Sequence, residues 1–400
     1  MLETVRAYAA ERLTAGDDER DTKERHHRFY LALARVHGAD PAINGPDGAE
    51  HMARLDAEVD NLHAALGWAC EQEDAERALA LAVALGRYWG QGRRNADAVI
   101  WSDRALGLPG ADDHPELQVR ALRWKVWGLR WIGRVADQPA SLSEAEAIAR
   151  RLGDPLLLAQ TLGTRASSAA MAGRPEIADP LADESLRYAT EAGDRWEIAS
   201  AWSVKAMAAS TGPDLRERVE RAAALLEEVG NRHDLAGLLL GSAAYTALFV
   251  GSDRDAKEYL ERAIPLVRES GDPWQRMIHR GNTGLAALLT ADVGPARAAF
   301  REELELCREL VALPIACEGL IGLAGVAAAR EEDDRAARLV GAASAHRHGS
   351  QQDTIEARLD AAYLAAARAR CGASVWEAVV AEGTALSFED AIAYALEEAD

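Results

Sequence analysis

The sequence predicts an all-α fold: a right-handed superhelix of helix–turn–helix repeats, with helical caps at its N- and C-terminal ends. Three observations carry this expectation. First, a Gly-Asp or Gly-Asn pair recurs about every 40 residues, at Gly153-Asp154, Gly193-Asp194, Gly230-Asn231 and Gly271-Asp272, and it degenerates to Val311-Ala312. Gly tolerates the left-handed position that ends one helix, and Asp or Asn caps the start of the next. Second, a small residue stands eight positions before most of these points, at Ala145, Ser185, Ala222 and Ala263, and the series extends to Glu303 and Ala343 in the next two units. Third, 48% of the chain is apolar, rich in Ala and Leu and poor in aromatics other than Trp, and strand signals are nearly absent.

The elements follow from these marks in order. A first helix is expected at Leu2 to Leu13, with Leu2, Val5 and Leu13 at helical spacing, and Gly16-Asp17-Asp18 ends it. A second runs from Glu19 to His37, with Phe29, Tyr30, Leu33 and Val36 inward. The Pro/Gly/Asn cluster at Ala39 to Gly48 reads as a loop and a hinge. A third helix, Ala49 to Cys70, presents Met52, Leu55, Val59, Leu62, Leu66 and Ala69 on one face. Helix pairs follow: 74–89 with 95–106, 115–132 with 141–152, then five more over 155–191, 195–228, 232–269, 273–310 and 313–348. Pro265 should bend its helix, whereas Pro180 falls early enough to be tolerated. Upstream of each small residue lie a larger and another residue at helical spacing, such as Leu142 and Gln138, Leu260 and Ala256, or Phe300 and Ala296. That stripe is how tetratricopeptide-type hairpins nest, so the period is structural. After His348 it is lost, and helices at 354–371, 375–382 and 387–398 read as a cap, the last opened by Ser387 with Asp390. The domains expected are therefore 1–72, an N-terminal helical segment; 73–348, a solenoid of about seven pairs; and 349–400, the C-terminal cap.

Composition narrows the function. A net charge of −20 repels phosphate backbones and anionic lipid, which favours a protein partner or a small molecule over nucleic acid or membrane. No apolar run approaches the roughly 18 residues of a membrane span. Cys70, Cys307, Cys317 and Cys371 have neither metal-type nor disulfide-type spacing and read as thiols of a cytoplasmic protein. No G-x-S-x-G, H-E-x-x-H or C-x-x-C occurs, so an enzyme is not expected, nor a cofactor or a metal. His26 and His27 point about 100° apart on a helix, and His346 and His348 sit where a helix C-terminus favours their charge.

Four segments resemble one family. LETVRAYAAERL at Leu2 to Leu13, LDAEVDNLHAALGWA at Leu55 to Ala69, GLAGVAAAREEDDRAARLVGAASAHR at Gly322 to Arg347 and ALSFEDAIAYAL at Ala385 to Leu396 resemble the C-terminal tetratricopeptide-repeat sensor region of actinobacterial LuxR-like and antibiotic-regulator-like transcriptional regulators with a signal-transduction ATPase module. The resemblance spans essentially the whole chain. It implies a sensor or protein-interaction half whose partner is an ATPase or DNA-binding module, in cis or in trans. The chain departs from the family in lacking G-x-x-x-x-G-K-[ST] and any visible helix-turn-helix, so ATP hydrolysis and DNA reading transfer to no residue here.

One cluster stands out for binding. Six of the ten tryptophans fall between Trp68 and Trp131, accompanied by Tyr88 and by Arg87, Arg93, Arg94, Arg120, Arg123, Arg130 and Arg134. Trp124, Trp127 and Trp131 share one helix face, and Arg123, Trp127, Arg130 and Arg134 share its neighbour. Such a set can fill space between helices while arginines stack on the rings. On a first helix, which lines the concave side of such a superhelix, it can instead hold an anionic or aromatic ligand or an acidic peptide. The candidate residues are Arg120, Arg123, Trp124, Trp127, Arg130, Trp131, Arg134, Tyr88 and Trp89. A second set, His279, Arg280 and Asn282, lies beside Gly281 and Gly284, which also suit close helix packing. The function expected is ligand sensing or partner binding in a groove; the alternatives are a passive peptide scaffold or an oligomerisation module, with homo-oligomers possible.

Overall fold

The computed structural model describes residues 18–45, 47–91, 94–310, 312–346 and 354–397, all helix and short connections without a strand among them. The helix expected at Leu2 to Leu13, as well as Arg93, Val311 and His348, lies outside the described residues. The chain forms two compact units. One takes the chain up to Arg165 together with Glu184–Glu197, and the other takes Ala166–Asp183 and everything from Ile198 on.

The first unit begins with α1 (Glu19–His37), α2 (Asp40–Asn44), α3 (Gly48–Asp56) and α4 (Val59–Glu71). Three expectations are corrected here. Phe29 and Val36 are exposed, at 57% and 61%, and α1 turns His27, Tyr30, Leu33 and Ala34 inward instead. His27 tolerates burial because its Nε2 lies 3.3 Å from the Arg77 carbonyl. The Pro/Gly cluster contains a short helix, α2, with Pro41 in its first turn, where a missing N–H costs nothing. The single helix expected from Ala49 divides around Ala57 and Glu58, where the Glu58 carboxylate accepts from Tyr30 Oη at 2.9 Å and Asn61 Nδ2 at 2.8 Å. Its apolar face survives the break, with Leu55, Leu62, Leu66 and Ala69 all buried.

Hairpins follow: α5 (Ala75–Gln91) with α6 (Asn95–Leu106), and α7 (Pro115–Trp131) with α8 (Gln138–Leu152). Next come α9 (Pro155–Met171), α10 (Pro175–Ala192), α11 (Arg195–Met207), α12 (Gly212–Glu228), α13 (Arg232–Gly237) running through a π-helical stretch Leu238–Tyr245 into α14 (Thr246–Phe249), α15 (Asp253–Ser270), α16 (Pro273–Leu289), α17 (Val293–Leu310), α18 (Leu313–Ala329) and α19 (Asp333–His346). The register read from the sequence holds at the atoms. Gly153, Gly193, Gly230 and Gly271 have φ between 61° and 70°, the region that a Cβ disfavours. After them Asp154, Asp194, Asn231 and Asp272 each accept from a backbone N–H two or three residues on, at 2.9 Å for Leu157, Trp196, Asp234 and Trp274. A second series marks the turns inside hairpins, with positive φ at Gly133, Gly173, Gly251, Ala291 and Glu331. The small stripe is buried throughout, at Ala145, Ser185, Ala222, Ala263 and Ala343, and so is Glu303.

The second unit shares one continuous apolar core from Ala199 to Ala395. Its last elements are α20 (Thr354–Leu359), a π-helical stretch Asp360–Leu364, α21 (Ala365–Cys371), α22 (Ala373–Thr384) and α23 (Phe388–Leu396). Ser387 Oγ accepts from Asp390 N at 3.1 Å, so Ser387 caps the helix as expected, but the Asp390 carboxylate accepts from that same hydroxyl at 2.6 Å rather than completing a capping box on the Ser387 backbone N–H. Arginines tie these helices down. Arg358 reaches the Leu248 carbonyl at 2.6 Å and Asp253, Arg301 the Leu396 carbonyl at 2.7 Å, and Arg335 the carbonyls of Tyr394, Ala395 and Glu397 at 3.0–3.1 Å. Cations at a helix C-terminus satisfy orphan carbonyls and oppose the helix dipole.

Candidate functional site

Helix α7 supplies most of the candidate site. Pro115 opens it, and Gln138 Nε2 donates to the Val126 carbonyl at 2.9 Å near its far end. Trp124 and Trp127 lie against α5 where that helix has Gly86 and Gly90. A Cβ on Gly86 would stand 2.1 Å from the Trp124 ring, so the indole occupies space that only glycine leaves. Both rings remain half-buried rather than closed in, and each carries a guanidinium, with Arg87 5.9 Å from the Trp124 ring and Arg130 5.3 Å from that of Trp127. Trp131 follows 6.1 Å from Trp127.

A polar ladder crosses the neighbouring helices of this unit. Arg123 donates from Nη1 to Gln160 Oε1 at 2.7 Å and from Nε to Thr164 Oγ1 at 3.2 Å, both on α9. Gln160 passes the chain on, Nε2 donating to Glu197 Oε1 on α11 at 2.9 Å. On the other side Arg87 of α5 pairs with Asp40 of α2 at 2.6 Å. These side chains reach solvent, yet protein surrounds them closely enough to shift their titration. Burial pulls the Arg123 guanidinium below its ordinary value, against the opposing Glu197, and Arg120 and Arg87 add to the fall. Burial likewise pushes the Glu197 carboxyl up, although Arg123 and Gln160 resist. At Asp40 burial also acts upward, but Arg87, Arg123 and Arg120 together hold the carboxyl below its usual range.

The structure thus brings Arg120, Arg123, Trp124, Trp127, Arg130 and Trp131 together on α7. It does not bring in the rest. Tyr88 and Trp89 are wholly buried in the core of the unit, where Tyr88 Oη donates to Asp56 at 2.6 Å, and they present no surface. Arg134 lies beyond α7, because the chain turns at Gly133 with φ 77°, and it pairs with Asp137 at 2.7 Å. His279, Arg280 and Asn282 belong to the other unit. His279 and Asn282 are buried, their side chains 3.1 Å and 2.8 Å from the carbonyls of Leu260 and Leu240, and Arg280 pairs with Glu302 at 2.7 Å. The space beside Gly281 and Gly284 is taken by Glu303 and Phe300 of α17, so helix packing accounts for those glycines.

Asp40, Gln160, Thr164 and Glu197 went unnoticed in the sequence. The available signal was the equal spacing of Arg123, Gln160 and Glu197. It differs from the 40-residue register because each rung falls three residues nearer the start of its helix.

No family model matches the chain. It is similar to transcriptional regulators. Curated proteins of Mycobacterium tuberculosis and Mycobacterium bovis, each named "Putative HTH-type transcriptional regulator", are 30% identical to it over 246 residues, which is 58% of this chain and 27% of theirs. The chain therefore spans about a quarter of the length of the curated relatives it matches. Among the described residues no helix is long and apolar enough to cross a membrane.

Proposed function

We propose that the chain is a non-enzymatic, cytoplasmic sensing or partner-binding module of a transcriptional regulator, and that its occupant lies along the ladder from Arg87 through Arg123 and Gln160 to Glu197. The similarity to regulators supports the setting, and the ladder supports the mode of action. Its rungs stand on α5, α7, α9 and α11, so they belong to successive hairpins. An occupant that engages several rungs is sensitive to the spacing of those hairpins, and by linkage it favours the spacing it fits best. An ATPase or DNA-binding module, attached or separate, would read that change.

Native mass spectrometry of the purified protein, before and after denaturation, tests this directly. A small mass or protein partner that co-purifies, is lost on denaturation and is absent from an Arg123→Ala/Trp127→Ala variant is the expected result. An empty wild-type chain that also captures nothing from host metabolite and protein extracts would remove the support.

A further inference from the structure

Arg120 is the odd member of the cluster. It is half-buried, and among the described residues it has no hydrogen bond or ion pair. One helical turn on, the hydrogen bonds of Arg123 among the described residues go to the neutral acceptors Gln160 and Thr164. The nearest acids are already engaged, Asp40 by Arg87 and Glu197 by Gln160. Arg87, Arg123 and Arg120 all act on the one carboxylate of Asp40, whose hydrogen bond goes to Arg87, in a chain whose net charge is −20. Guanidinium groups that bond no carboxylate directly, in a partly desolvated place, bind oxyanions well, because their planar donors match two oxygens at once. Beside this spot the rings of Trp124 and Trp127 stand four residues on from Arg120 and Arg123 respectively, the spacing at which helical side chains meet.

We infer that Arg120 and Arg123 form the receptor for an organic oxyanion, a carboxylate or a phosphate ester, whose flat apolar part lies against the Trp124 and Trp127 indoles. This rests on the groove proposed above and names the chemistry of its occupant. The anion supplies the direct hydrogen-bonded partner that Arg120 lacks, and the indoles supply apolar and quadrupolar contact. A neutral molecule of the same shape gains only the second.

The test uses the full chain, titrated at constant ionic strength with benzoate, phenyl phosphate and benzyl alcohol while tryptophan emission is followed. One or both anions should saturate the signal and the alcohol should not, and the stronger anion tells carboxylate from phosphate. Arg120→Gln should weaken the anion at least tenfold with an unchanged circular dichroism spectrum, since Arg120 holds no other part of the protein. Arg134→Gln should leave it unaltered. If neither anion saturates, or if Arg120→Gln binds as tightly as the wild type, the inference falls. Its failure is separable from that of the groove itself: a co-purified partner lost only in Arg123→Ala/Trp127→Ala would keep the groove and discard the anion.

Discussion

Glu303 stands on α17 where the other second helices carry Ala or Ser, and it is 1% exposed with no partner for either carboxylate oxygen among the described residues. Room for it comes from its neighbours. A Cβ on Gly281 of α16 would lie 2.3 Å from Oε1 and one on Gly319 of α18 would lie 2.9 Å from Oε2. Burial, and then the nearby Glu318, push its carboxyl well above the ordinary carboxylate range. Burial also drives the adjacent Cys307 thiol upward, with Glu303, Glu318 and Cys317 contributing. An acid whose pKa is raised in the folded state costs nothing below its unfolded value near 4.3, and the penalty grows as pH rises towards the folded value. Glu303→Gln should therefore stabilise the protein at pH 7 by about 1 kcal/mol or more and make little difference near pH 4. Thermal unfolding at both pH values checks this, and a Gln variant that melts lower at pH 7 would contradict it. The sequence shows Glu303 as an exception in the stripe. It cannot show that glycines on two other helices accommodate it, because that depends on which helices become neighbours.

At the scale of elements, turns and caps were the most legible features, since a left-handed glycine and an Asx cap act within a few residues. The second series of turns was less so, because Ala291 and Glu331 hold positive φ without the glycine that announces it. The division of α3 from α4 and the slant of the ladder were hidden for another reason: both depend on contacts with helices distant in sequence, such as Tyr30 with Glu58. Helix crossings were hidden as well. On α19 and α22 two glycines let the backbones touch: a Cβ on Gly341 would lie 2.0 Å from the Val380 carbonyl oxygen, and one on Gly383 would lie 2.0 Å from that of Arg338. Neither carbonyl can move without its helix. Gly383→Ala should destabilise by about 2 kcal/mol or more through this overpacking, despite alanine's better helix propensity. Chemical denaturation measures the loss, and hydrogen exchange should place the faster opening in α22. A variant as stable as the wild type would show that the helices can slide apart cheaply.

Across the whole molecule, 65 acidic residues face 45 basic ones, and many of the arginines already hold a carboxylate or a carbonyl. Duplex DNA is bound mainly where Lys and Arg side chains neutralise phosphates and displace the counterions condensed on them. The chain by itself should not retard a duplex in a mobility-shift assay at about 0.1 M salt, and a salt-sensitive shift would overturn that expectation. The helical class and the repeat were readable because they are written in every unit. The limits of the two compact units, after Arg165, between Asp183 and Glu184 and between Glu197 and Ile198, were not, since the periodic pattern runs through all three without interruption. The arginine clasp on α23 bears on a different matter, crowding. A stack of like hairpins presents at its end a face suited to another such stack, and chains open in this way can add to one another without limit. Here α22 and α23 lie over the final hairpin, and Arg301 and Arg335 grip the last carbonyls. The apolar side of the final hairpin that α22 and α23 cover is thereby withheld from a second stack.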